Sequence, residues 1–501
     1  MSRCRRDGDR AFELPPTRSD GERRYQVLSE HWETWVARHE EAGQAIPAYV
    51  RREVDSFLRC GDPTNGFLRL YCGQCRATRV LPFSCKTRSL CSSCAARTMA
   101  DTAAHLVDRV IAPDVPVRKW VLTLPFAIRR WVAFDDGLLS ELHRIAVRAI
   151  SDWLRASAAA RTRAKTADKR LAEPGAVTFV QRFGDALRLA PHFHIMVSDG
   201  VFARRRSRKC KAGRVYFRTT PAPTRRDVQG IVDRIAREGT AALTRSRRDT
   251  NEEASLIDGC AAIAVRPVRP VGPHCVRDGE PTRRRILPDQ CAERDGWNLH
   301  AGTRVAAHRP LALERLLRYA ARPVIAEDRL ELLSDGRIKI TLKRAWSDGR
   351  AFVVLSPEAF LTRLVALIPL PHSNLTRYSG AWSARSRWRD DAIPGRSRDR
   401  AVSERNRNKP ELRPRRLAWA DLLKRVFGLD AFQCHCCPAR MMVVSVIEQP
   451  TVIEAILAAI QLSAPGRRRA PARDPPESDS GAFDDAPCND DPLDPAWGEP
   501  A

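Results

Sequence analysis

The stretch Pro191-His192-Phe193-His194-Ile195-Met196-Val197-Ser198-Asp199-Gly200 decides how this chain is read. Its β-branched and aromatic residues and the closing Asp-Gly turn predict a strand. Side chains alternate faces along a strand, so His192 and His194 point one way while Phe193, Ile195 and Val197 point the other, toward a core. Two imidazoles side by side on one sheet face can hold a single divalent metal. The bland alternative is a chance pair of histidines in a strand.

Working outward, Ala176 to Arg182 reads as a partner strand, joined to Leu187–Ser198 through Gly184-Asp185 as a hairpin. Gln181 then lies across the hairpin from the histidines. Its amide oxygen is a candidate third ligand, and otherwise it is a sheet-surface glutamine. Asp199 is the rival third ligand, or simply the start of the turn. Lys119 to Pro125 is a further strand. Residues 25–57 read as two amphipathic helices, and helices are also predicted at 98–110, 135–160, 226–245, 310–321, 357–368, 417–427 and 452–462. Short strands are predicted at 338–342 and 352–354. Residues 250–300 show little periodicity, residues 380–416 are Arg-rich and irregular, and the tail from Gly466 reads as disordered.

The chain has 501 residues, with 86 Lys and Arg against 60 Asp and Glu, a formal net charge of +26. That excess points to a polyanionic partner, most simply nucleic acid. Arg suits phosphate because its planar fork binds two oxygens at once. No apolar run is long enough for a membrane span. The N-terminal stretch lacks the apolar core of a signal peptide. A cytoplasmic, nucleoid-associated protein is expected, whose 15 cysteines serve as metal ligands or buried thiols.

Cys72-x-x-Cys75 and Cys91-x-x-Cys94 are separated by fifteen residues. Each tight knuckle presents two thiolates and tetrahedral zinc needs four, so these cysteines are predicted to hold one structural zinc. Cys60 and Cys85 lie near enough to substitute. Near the C-terminus, Cys434-His-Cys-Cys437 offers only one cysteine pair, so a second zinc is not expected there. The basic residues around the cluster, Arg88 among them, suggest a DNA-contacting ribbon, against the alternative of a purely structural one.

Six tyrosines are present, and Tyr319 stands out in Leu313-Glu-Arg-Leu-Leu-Arg-Tyr-Ala-Ala-Arg-Pro323. Arg315 and Arg322 fall on its helical face and Arg318 adjoins it. Cations there attract a phosphodiester and favour negative charge on the phenol oxygen. The plain alternative is an amphipathic tyrosine anchoring a helix.

Taken in order, several blocks carry a resemblance. They are Phe83-Ser-Cys-Lys-x-Arg-x-x-Cys-x-x-Cys94, Trp120-Val-Leu-Thr-Leu-Pro, Gln181-Arg-Phe-Gly, His192-Phe-His, Asp199-Gly-Val-Phe, Arg318-Tyr-Ala-Ala-Arg-Pro, Trp346-Ser-Asp-Gly, Arg377-Tyr-x-Gly and Trp419-Ala-Asp-Leu-Leu-Lys-Arg-Val-Phe. From about residue 25 to 462 the chain resembles the rolling-circle transposases of the insertion-sequence ninety-one family. The resemblance implies a HUH endonuclease domain on an antiparallel sheet and an N-terminal zinc-binding domain. It also implies transposition through single-stranded DNA at element ends and at the target. It further implies His192 and His194 as ligands of a catalytic Mg²⁺ or Mn²⁺, and Tyr319 as the nucleophile. Two-tyrosine members place a second tyrosine where this chain has Arg315, so the likeness is to the single-tyrosine branch. Arg322-Pro323-Val324 departs from the Arg-Pro-Pro of relatives.

The expected fold class is α+β, in four parts: an N-terminal helical and zinc-ribbon domain over 20–115, a central antiparallel-sheet catalytic domain over 116–370, an Arg-rich and helical C-terminal region over 371–465, and a disordered tail over 466–501. The expected activity is DNA strand transfer. Its rivals are a non-catalytic zinc-ribbon DNA-binding protein and a plasmid-type replication initiator or relaxase.

Overall fold

The computed structural model describes residues 12–13, 23–87, 89–160, 172–204, 215–246, 256–266, 289–324, 327–343, 345, 349–393, 430–434, 436–459 and 470–471. The expected 417–427 helix, the tail apart from residues 470–471, and Arg88 lie outside the described residues.

The N-terminal part contains β1 (Phe12–Glu13), α1 (Arg23–Glu41), α2 (Ala48–Leu58), β2 (Phe67–Tyr71), β3 (Thr78–Pro82) and α3 (Ser92–Arg109). The chain continues through β4 (Val117–Thr123), α4 (Arg129–Phe134), α5 (Asp136–Ala160), β5 (Ala172–Glu173), β6 (Gly175–Phe183), β7 (Leu189–Ser198), β8 (Gly200–Arg204), β9 (Val215–Thr219), α6 (Arg225–Ser246) and α7 (Leu256–Val265). There follow β10 (Cys291–Arg294), β11 (Trp297–Val305), α8 (Pro310–Ala320), β12 (Leu330–Leu332), β13 (Ile338–Thr341), β14 (Phe352–Leu355), α9 (Pro357–Ala366), β15 (Thr376–Gly380), α10 (Arg389–Ala392), β16 (Met442–Ile447) and α11 (Pro450–Ala459). The class is α+β.

A six-stranded sheet in the order β10-β11-β4-β7-β6-β15 organises the middle of the chain. Its neighbouring strands all run antiparallel. The histidine strand β7 lies inside it and is buried along its whole length. That burial follows from cover on both faces. Phe193, Ile195 and Val197 join Trp120, Leu122 and Leu299 in a core capped by α5 and α6. On the opposite face Val177, Phe179 and Met196 pack with α3 and α8.

Three expectations change here. Residues 250–300 supply α7, the edge strand β10 and the start of β11. In β11 polar Asn298 and His300 occupy one face while Leu299 and Ala301 occupy the other, an alternation only four residues long and too short to stand out in the sequence. The expected boundary at 370 cuts the sheet, since β15 pairs with β6. The C-terminal region is not purely helical, because β16 adds an edge to the N-terminal sheet, order β1-β3-β2-β16.

Candidate active site and thiol clusters

Strand register assembles the site. Gln181 pairs with His192 across β6 and β7. Thr123 and Lys119 on β4 stand opposite His192 and Met196. On β11, Asn298 pairs with Thr123 and His300 with Val121, which itself faces His194. Directly paired residues in antiparallel strands share a face. Gln181, His192, His194, Lys119, Asn298 and His300 therefore line the face that α8 covers.

The imidazoles of His192 and His194 approach through their Nε2 atoms at 3.1 Å. His192 Nδ1 lies 2.7 Å from the Ala190 carbonyl oxygen, so it carries the proton and leaves the Nε2 lone pair facing His194. Burial drives His192 down to about 4 and His194 well below the usual imidazole range. Both are neutral at neutral pH, the form that binds metal. Two nitrogens each about 2.1 Å from one ion, at roughly a right angle, would stand ~3 Å apart, close to the observed separation. Gln181 Nε2 donates to the Ala320 carbonyl at 2.6 Å, while its Oε1 is buried and has no hydrogen-bond partner among the described residues. An orphaned buried oxygen beside two lone pairs fits a cation.

Asp199 is spoken for. Arg118 grips both its oxygens at 2.7 and 3.2 Å, and Arg304 adds a 2.5 Å contact. Its role as a rival third ligand is withdrawn, because two guanidinium groups already satisfy the carboxylate.

Tyr319 sits half-buried near the end of α8, its ring edge-on to His194 with centroids 6.1 Å apart and planes at 81°. Gln181 fastens the next residue's carbonyl to the sheet. Lys119 Nζ, the Arg322 guanidinium and Lys343 Nζ lie 4.9, 5.0 and 5.1 Å from the ring centroid. Only Arg322 was anticipated. Arg315 is exposed, and Arg318 is paired with Glu314 at 2.6 Å. Lys119 was read only as part of a strand, because its register opposite Met196 becomes visible only in the sheet. Burial lowers Lys119 to about 8, with Arg322 adding repulsion.

A cleft opens beside the tyrosine helix, lined by Phe183, Gly184, Ala186, Arg322, Arg329 and Lys343 among others. Arg322 Nε and Nη1 are buried without hydrogen-bond partners among the described residues. Cationic donors left unpaired suit phosphate oxygens. The hairpin turn at its base holds Ala186 and Leu187 at positive φ, 53° and 57°. Asp185 there accepts from Arg329 at 2.6 Å and from the Lys343 backbone N–H at 3.3 Å, which positions Lys343.

The cysteines divide differently from their spacing. Cys60, Cys85, Cys91 and Cys94 form one group and Cys72, Cys75, Cys434 and Cys437 another. The expected set of Cys72, Cys75, Cys91 and Cys94 is therefore split. Each knuckle finds its partners from other parts of the chain, because β2 and β3 carry the first away from the start of α3, where the second sits. In the first group, Cys60 Sγ lies 3.8 Å from those of Cys91 and Cys94, and Cys85 Sγ 3.5 Å from that of Cys94. Tetrahedral zinc with Zn–S near 2.3 Å sets sulfurs about 3.8 Å apart. The thiols of Cys60, Cys91 and Cys94 are embedded in the apolar core that joins α1, α2, α7 and α9.

Comparison with known proteins agrees with this layout. Residues 27–124 match the transposase zinc-binding domain, and residues 175–389 match a transposase family model. The chain is 24% identical over 405 residues to the transposase for insertion sequence element IS801 of Pseudomonas savastanoi pv. phaseolicola, covering 80% of this chain and 84% of the relative. The chain belongs to the insertion-sequence ninety-one family of transposases. No solved structure matches it. For this transposase, the zinc-binding match and the thiol groups support a structural zinc. Among the described residues no helix is long and apolar enough to cross a membrane.

Proposed function

We propose that this transposase cuts and rejoins single-stranded DNA at insertion-sequence ends by rolling-circle chemistry through a 5′-phosphotyrosine link to Tyr319. The observation that carries the reading is the convergence of Tyr319, Lys119, Arg322 and Lys343 over the sheet face that carries the His192–His194 pair. His192, His194 and the Gln181 oxygen would hold a divalent cation, Mg²⁺ or Mn²⁺, which when bound supplies Lewis-acid polarisation of a phosphodiester.

The chain's own groups do the rest. Arg322 and Lys343, shared between the cleft and the tyrosine, draw the DNA backbone toward the phenol oxygen. That oxygen attacks phosphorus, its proton passing to solvent, and the bond to the 3′-oxygen breaks. The leaving 3′-oxygen takes a proton and becomes the free 3′-OH. The phosphotyrosine ester retains the bond energy, so rejoining needs no ATP. Lys119, Arg322 and Lys343 stabilise charge developing on the phenol oxygen, and positioning plus electrostatics supply most of the rate. The zinc-bearing module read as 20–115 would hold DNA, and the part from 116 onward that carries the six-stranded sheet, β15 included, would cut it.

The test is a covalent adduct. Full-length protein, element-end single-stranded DNA and Mg²⁺ or Mn²⁺ should yield a species that survives denaturing electrophoresis. EDTA, Tyr319→Phe, His192→Ala and His194→Ala should each abolish it. An adduct that persists in Tyr319→Phe, or that maps to Tyr378, overturns the assignment. Binding with no adduct under any metal would make this a DNA-binding protein only.

A further inference from the structure

The second thiol group joins segments more than 350 residues apart in sequence, and two of its cysteines lie far beyond residue 124, where the zinc-binding match ends. Cys72 Sγ stands 3.5 Å from Cys437 Sγ, and Cys75 Sγ 3.4 Å from Cys434 Sγ. All four sulfurs lie within 4.8 Å of one another. Disulfide sulfurs are bonded at about 2.05 Å, so these are four converging thiols.

The two knuckles share a backbone design. Cys72 N–H donates to the Ala77 carbonyl at 2.9 Å, and Cys434 N–H to that of Ala439 at 3.0 Å, each five residues on. One residue outside each, Tyr71 pairs with Thr78 and Gln433 bridges to Arg440. Each Cys-x-x-Cys therefore closes a small antiparallel hairpin with the same offsets, and the hairpins face each other with four sulfurs between them. Arg76 takes a positive φ of 62° to complete the first turn. The contact is more than thiols. Leu70, Ala77 and Met441 bury a small core around Cys72 and Cys434, Arg79 reaches the carbonyls of Ala431 and Gln433, and β16 continues the pairing along β2.

We propose that Cys72, Cys75, Cys434 and Cys437 bind a second structural zinc, which clasps the C-terminal β16–α11 segment onto the N-terminal ribbon. Four thiolates leave no open position on tetrahedral zinc, so the ion would organise the fold and do no chemistry. Binding energy of such a site is folding energy, since the unfolded chain holds the two pairs far apart. The zinc-ribbon surface of this transposase would then be built jointly from both ends of the chain.

Zinc counting on full-length reduced protein tests this. Wild type should carry two zinc ions per chain, and Cys434→Ser/Cys437→Ser should carry one. Native trypsin digestion should release residues 430–459 from that variant at least tenfold faster than from wild type. Because the double variant could lose structure, Cys437→His supplies an independent arm. It should keep two zincs, with nitrogen joining the all-sulfur coordination seen by X-ray absorption in wild type. One zinc in wild type, two in the double variant, no nitrogen in Cys437→His, or a Cys72–Cys437 disulfide in freshly isolated protein would each overturn the clasp. None of these readouts depends on DNA cleavage.

Discussion

Lys119→Met separates the function of the site from its stability. Lys119 is only 4% exposed, and its Nζ lies 4.9 Å from the centre of the Tyr319 ring. Two full charges about 5 Å apart at an effective dielectric of about 20 interact by ~3 kcal/mol. If half the charge has developed on the phenol oxygen at the transition state, removing the ammonium costs ~1.5 kcal/mol, about tenfold in the rate of adduct formation. The same burial lowers Lys119 from 10.5 to about 8. That depression means the charged form is disfavoured in the fold by ~3 kcal/mol at neutral pH. The penalty is fully present below pH 8 and disappears as pH rises from 8 to 10.5. Lys119→Met should therefore be slower yet more resistant to urea at pH 7. Wild-type cleavage should fall as pH climbs through about 8, while Lys119→Arg, which stays charged, should hold its rate. Single-turnover adduct kinetics against pH and urea midpoints read both effects. An unchanged rate in Lys119→Met, or the same fall near pH 8 in Lys119→Arg, would refute the reasoning.

Further outcomes follow from the packing at Gln181 and His143. Gln181→Ala removes both the hydrogen bond to the Ala320 carbonyl and the orphaned oxygen, and should slow adduct formation at fixed metal. Gln181→Glu keeps an oxygen there, and should bind Mn²⁺ more tightly in a direct titration; equal affinity would remove Gln181 from the ligand set. His143 is buried against the Thr178 hydroxyl at 2.9 Å and is held down to about 4, first by burial and then by Arg377. A histidine depressed in the fold stabilises above its unfolded value of about 6.5, and that stability is lost as pH falls from there toward 4, by up to ~3 kcal/mol. Urea midpoints should drop over that window, and His143→Leu should drop less; an identical slope would contradict the account.

Local chemistry determined a good part of this protein from sequence alone. The alternation of His192, Phe193, His194 and Ile195 defines the two faces of β7 whatever surrounds it, because strand geometry has a period of two. The excess of cations and the cysteine knuckles likewise declare their chemistry without a fold. The two lysines beside Tyr319 depend on pairing. Lys119 reaches the ring because β4 registers against β7, and Lys343 because Asp185 ties its loop to the hairpin. The grouping of the cysteines depends on it too. Spacing along the chain joined Cys72 and Cys75 to Cys91 and Cys94, whereas folding gave the first pair Cys434 and Cys437 and the second Cys60 and Cys85. Spacing reports only how near residues are along the backbone, and a tetrahedral ion needs sulfurs near in space. Which knuckles meet was decided by β16 pairing with β2, a contact no local pattern encodes.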